Sequence, residues 1–129
     1  MVLDTNVLVA AGFRPASASG RLVEAARNGR LVALWTPATR AEAERVLDQI
    51  PPLSGLGVSA VFHPEGCVRA RLLLAPFVHL SGPVDQTLAA LAAATDAPLV
   101  TADGALTDGA AAAGVRVLRA PEARQAFAL

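Results

Sequence analysis

The opening decapeptide, MVLDTNVLVA, sets a carboxylate, a hydroxyl and an amide (Asp4, Thr5 and Asn6) inside an otherwise apolar run. A strand with one face in water would alternate polar and apolar residues, and this run does not. Further acids stand at comparable places. Asp103 closes the apolar run PLVTA, and Asp85 begins a helical stretch after the turn Ser81-Gly82-Pro83. Glu42 and Glu44 lie one or two turns into the stretch that follows LVALWTP. Carboxylates gathered in one place repel, and at least one must take a proton unless a cation neutralises the group. All 11 basic residues are arginine and lysine is absent, so no lysine amine can do it, and nothing in the sequence assigns an arginine. A hard divalent cation, Mg²⁺ or Mn²⁺, suits such oxygen ligands and also accepts phosphate oxygens. The chemistry pointed to is metal-assisted phosphodiester hydrolysis, in which the ion acidifies a bound water and shields charge on the phosphate.

Each acid also has a plain structural reading. Asp4 with Asn6 can close an Asx-turn, and Asp103 in TADG can be a turn residue before a helix. Asp85 can complement a helix dipole from the first turn. Glu42 completes Thr39-x-x-Glu42, a capping-box pattern, although Thr36-Pro37 makes the better helix start. Helical spacing does not choose between Glu42 and Glu44, since both flank the apolar stripe of Ala43, Val46, Leu47 and Ile50. The joint placement of the acids favours a site.

The elements that would position them follow from periodicity. Short apolar runs predict strands over 1–5, 31–35, 77–80, 98–102 and 115–118. Helical patterns fall at 6–11, 18–29, 37–49, 64–75, 84–95, 104–113 and 121–127. Asn28-Gly29 and Gly114 supply stops, because these residues tolerate positive φ. The stretch PPLSGLGVSAVF (51–62) fits no single element, and the segment 51–75 carries no recognisable motif. Strands alternating with helices predict one α/β domain spanning 1–129, with a mostly parallel sheet of four to five strands covered on both faces. Asp4 and Asp103 would then both project from the carboxyl edge of the sheet, where ligands of such folds bind.

The composition sets bounds. At 129 residues the chain can bury one core. No apolar run approaches the roughly 18 residues that suggest a membrane span. The N-terminus lacks the basic region of a signal peptide, and the lone Cys67 excludes an intrachain disulfide, so a cytoplasmic protein is expected. The absence of lysine excludes a P-loop and Schiff-base chemistry. Cys67 and Trp35 read as packing residues, and His63 and His79 lie too far apart in sequence to suggest a pair. Ser17 and Ser19 in RPASASGR read as helix caps, with Arg14 or Arg21 as candidate phosphate contacts.

Three blocks in order resemble the PIN-domain family of metal-dependent ribonucleases. VLDTNVLV is similar to the family's opening, which implies Asp4 as the first acid and Asn6 as the residue that orients it. ATRAEAERVL resembles the helix of the second acid; by that spacing Glu42 matches and Glu44 is the alternate. GPVDQTLAALAAATDAPLVTAD resembles the third block, implying Asp85 and Asp103 as the remaining acids and Thr101 as their hydroxyl neighbour. The resemblance implies a three-layer α/β/α sandwich and an Mg²⁺- or Mn²⁺-dependent endoribonuclease leaving 5′-phosphate and 3′-hydroxyl ends. Asp4, Asp85, Asp103 and Glu42 would surround the cation. It further implies an RNA substrate, a small antitoxin partner and a homodimer. The rival expectation is a catalytically silent PIN-like module that binds RNA or a partner. A phosphatase of the haloacid dehalogenase type needs a second aspartate where Asn6 stands, and a lysine, so that reading is set aside.

Overall fold

The computed structural model describes all 129 residues. Three short parallel strands, β1 (Val2–Leu3), β2 (Leu99–Val100) and β3 (Val117–Leu118), pair in the order β1-β2-β3. Val2 stands opposite Leu99 and Val100 opposite Leu118. Around them lie α1 (Thr5–Phe13), α2 (Ala18–Arg27), α3 (Pro37–Asp48), α4 (Pro83–Thr95), α5 (Gly104–Ala112) and α6 (Ala120–Ala126). The side-chain period of two divides the strands between two cores. Leu3 and Val100 face a core filled by α1, α2, α3 and α6, through Leu8, Leu22, Leu47 and Ala123. Val2 and Leu99 face the other, filled by α4 and α5 through Leu88, Leu91, Leu106 and Ala110. The layers are therefore helix, sheet, helix.

The helix starts follow from capping. Thr36 and Thr39 exchange hydrogen bonds at the head of α3 with Pro37 at its first position, and the Ser17 hydroxyl accepts from Gly20 N at 3.1 Å to open α2. Gly29 and Gly114 sit at φ 73° and 89°, conformations a side chain would strain, and each follows a helix end.

The sheet has three strands and not four to five. The segment 31–35 does lie along β1, with Met1 N donating to Val32 O and Leu34 N to Met1 O, both at 2.9 Å. Beyond that, Trp35 meets Cys67 in a single parallel bridge, too little to extend a ladder. The expected strand at 77–80 is instead a 3₁₀ turn, Ala75–Phe77, and its continuation. Phe77 and Leu80 are buried while Val78 and His79 are exposed, the spacing of a helical turn rather than of a strand.

The expected helix over 64–75 is also absent. One 3₁₀ turn covers Pro64–Gly66, after which Trp35 N donates to Gly66 O at 3.0 Å and Val68 N to Trp35 O at 2.8 Å. Those bonds draw the backbone out of helical geometry, and Gly66 is needed because a Cβ there would overlap the Ala33 carbonyl. The unplaced 51–62 is a strap of two 3₁₀ turns, Pro51–Leu53 and Val58–Ala60, pinned to the core by Leu53, Val58, Val61 and Phe62. No helix is long and apolar enough to cross a membrane.

Candidate active site

Asp4 stands where β1 passes into α1. Its amide donates to Val100 O at 3.0 Å, so the ladder continues to this residue and fixes it at the carboxyl edge. The residue is buried, 7 % exposed. One oxygen accepts the Thr101 hydroxyl at 2.7 Å. Thr101 follows β2 directly, is fully buried, and also accepts Asp103 N at 3.0 Å. A single hydroxyl thus ties the first acid to the backbone of the last, across 97 residues of chain. Asp103 is itself the N-cap of α5, its Oδ1 accepting Leu106 N at 3.0 Å. Asp85 lies half-buried in the first turn of α4.

Neighbouring charge acts on two of these carboxyls, Asp4 and Asp85. Burial pushes Asp4 above its ordinary value, the Thr101 hydroxyl and the amides of Asn6 and Thr5 pull it back, and the charge of Asp103 raises it further. Burial raises Asp85 as well, followed by the charges of Asp4 and Asp103. No arginine or histidine pairs with any of them, since the ion pairs of the chain all lie elsewhere. Such an oxygen-only, uncompensated set is of the kind a hard divalent cation accepts. No three acid, histidine or cysteine side chains stand close enough together to enclose an ion on their own.

The other expected residues are placed differently. Glu42 accepts two hydrogen bonds from Arg45, at 2.6 and 3.0 Å, and those bonds hold its carboxyl below the usual range. Glu44 pairs with Arg40 at 2.9 Å. Asn6 is exposed, and what it offers Asp4 is its backbone amide rather than its side chain. His63 and His79 donate to the carbonyls of Ala60 and Gly109, at 2.8 and 2.9 Å. Trp35 is buried with its indole N–H on His63 O. Arg21 is taken by Glu24 at 3.2 Å, whereas Arg14 has no ion-pair partner.

A cleft of about 680 Å³ adjoins this edge, lined by Phe13 and Arg14 at the end of α1, Ser17 before α2, Ala102 beside Asp103, and Arg119 just after β3. Sequence spacing singles out neither Phe13 nor Arg119. The signal for Arg119 was its place: it follows the last strand at the carboxyl edge, as Asp4 follows the first.

A parallel α/β sandwich with unneutralised carboxyls at the carboxyl edge of its sheet has the plan of a nuclease-like fold. A family model described as the PIN domain matches residues 1–105, and the chain belongs to that family. No curated protein and no solved structure matches it.

Proposed function

We propose that the chain is a Mg²⁺- or Mn²⁺-dependent endoribonuclease whose site is Asp4, Asp85, Asp103 and Glu42. The observation that carries the reading is geometric: the Thr101 hydroxyl ties Asp4 to the backbone of Asp103 at the sheet edge, near enough to Asp85 that the charges of Asp4 and Asp103 raise it, and none of the three has an ion-pair partner. The three aspartates would hold the cation directly or through its waters, since Mg²⁺ usually keeps several waters and rarely sits in an all-protein cage. When bound, the cation supplies charge shielding on the phosphate and a more acidic water. Thr101 fixes the rotamer of Asp4 by its hydroxyl and the amide of Asn6 supports the ionised form, the second layer of bonds that metal-binding carboxylates need. Glu42, paired with Arg45 here, would orient a water or hold a second ion if freed from that pair. Hydrolysis then leaves 5′-phosphate and 3′-hydroxyl ends. A small antitoxin partner, a homodimer and a cytoplasmic location belong to the same reading.

The test is cleavage of a labelled RNA during Mg²⁺ and Mn²⁺ titration. Activity should appear with the cation and vanish with chelator, and Asp4→Asn should lose about 10³-fold, because a metal supplies several kcal/mol and each 1.36 kcal/mol is tenfold. RNA binding without turnover at any cation concentration would instead establish the silent binding module.

A further inference from the structure

The cleft that reaches Ala102, the chain neighbour of Asp103, has the chemistry of a strand-binding track. Phe13 is 54 % exposed, a large apolar ring left in water at the mouth of the cleft. Arg14 and Arg119 line the same cleft from two different elements, and neither guanidinium is ion-paired, in contrast to Arg21, Arg40 and Arg45. The backbone that presents Phe13 and Arg14 is firmly held. Arg14 N donates to Ala10 O at 2.8 Å, and Arg14 O accepts both the amide and the hydroxyl of Ser17, at 2.9 and 2.6 Å. Gly20 lets α2 close on this turn, since a Cβ there would collide with the Pro15 carbonyl. Arg119 is anchored likewise, its amide donating to Glu122 Oε1 at 3.0 Å.

We propose that Phe13, Arg14 and Arg119 form a subsite for single-stranded RNA flanking the scissile phosphate, with one base stacked on Phe13 and neighbouring phosphates on the two arginines. The proposal rests on the nuclease reading for its direction: α1 runs from Asp4 to Phe13, about 14 Å at 1.5 Å per residue, a span of a few nucleotides. A planar guanidinium fork suits phosphate oxygens, and an exposed ring accepts any base by its face. Bases in a duplex are stacked on one another and offer no face, so the subsite selects single strands. Positive groups beside an acidic centre also give the backbone a place to be held while the acids repel it, which the acids alone cannot do.

The test uses the full chain carrying Asp103→Asn, which cannot cleave under the proposed mechanism and keeps the α5 cap, because asparagine caps as well as aspartate. Its binding to a labelled oligouridine is read by fluorescence anisotropy across a salt series. Adding Phe13→Ala should weaken binding roughly 5- to 100-fold, the range for loss of one base stack, and Phe13→Trp should restore it. Adding Arg14→Gln or Arg119→Gln should flatten the log–log salt dependence by about 0.7 for each phosphate that is no longer neutralised. Binding of the same oligouridine annealed to oligoadenosine should not respond to Phe13→Ala. In the cleaving parent, Phe13→Ala should raise KM more than it lowers kcat. Unchanged affinity and salt slope in all three variants, or no binding by the parent, overturns the subsite; cleavage by the wild-type chain would leave the nuclease reading standing. Binding that depends on the three residues in a chain that never cleaves overturns the nuclease reading and keeps the subsite.

Discussion

The acids of α3 and those at the carboxyl edge of the sheet are the same chemical group in two electrostatic settings. On α3 each glutamate has an arginine one turn away, Arg45 for Glu42 and Arg40 for Glu44, supplied by local sequence. At the edge, Asp4, Asp85 and Asp103 come from three distant places and meet only each other's charge. Helix geometry settles the first arrangement at little cost in water. The second persists although burial and neighbouring charge disfavour ionised Asp4 and Asp85, which is what makes this edge the place to test for a site. The presence of an acid therefore says less than whether the fold supplies it with a partner.

Removing one acid from the edge should have the largest effect. Asp103→Asn keeps the cap of α5, so a loss of about 10³-fold in RNA cleavage would be charge, not unfolding. Retained activity would make the edge acids no different from those of α3. Next comes Thr101→Val, close in shape but without the hydroxyl that Asp4 accepts. Loss of such a supporting bond costs roughly 10–100-fold in metal affinity or activity. The same bond lowers the Asp4 carboxyl, so its removal raises Asp4 further and moves the acid limb of the pH–rate profile toward higher pH. A profile that stays in place would separate Thr101 from the site.

The contrast also explains what was readable in the sequence. Asp4, Thr101 and Asp103 were legible because each is adjacent to a strand end, and parallel strands place those ends together. The six helices were legible because their stops and starts are local: Thr36-Pro37, Asn28-Gly29, Gly114. What failed depends on distant partners. The segment 64–75 has helical spacing, yet hydrogen bonds to Trp35 take its backbone away. Residues 77–80 are apolar enough for a strand, but burial of Phe77 and Leu80 requires a turn. The pairing of Glu42 with Arg45, by contrast, is local and lies open in their i, i+3 spacing.

Glu42 is where the comparison can be broken, because it is paired like a surface residue and proposed as a site residue. Glu42→Gln should lower kcat about tenfold with the melting temperature nearly unchanged, while Glu44→Gln should stay within twofold of the parent. This ranks Glu42 below Asp103, and below the roughly 10²–10⁴-fold of a full general acid or base, as expected for a group that only orients water. Equal, small effects from both variants would assign Glu42 to α3's solvated face and leave the edge with three acids.

The smallest effect concerns stability and sharpens the contrast from the other side. Burial raises Asp4 above its ordinary value of 3.8, so the folded chain binds this proton more tightly than the unfolded one. The contribution is therefore favourable at low pH and is lost as pH rises through the raised value. At neutral pH the ionised Asp4 is a cost, and Asp4→Asn should relieve it while still accepting the Thr101 hydroxyl. Its melting temperature should exceed the parent's at pH 7. The gap should narrow as pH falls through the raised value and close below 3.8, where Asp4 is protonated in both the folded and the unfolded chain. Mg²⁺ or Mn²⁺ should raise the parent's melting temperature and not the variant's, because a ligand stabilises the state that binds it. A variant less stable than its parent at pH 7 would mean that the charge on Asp4 is already well accommodated by Thr101 and the helix amides, and the edge would then carry no strain to set it apart from α3.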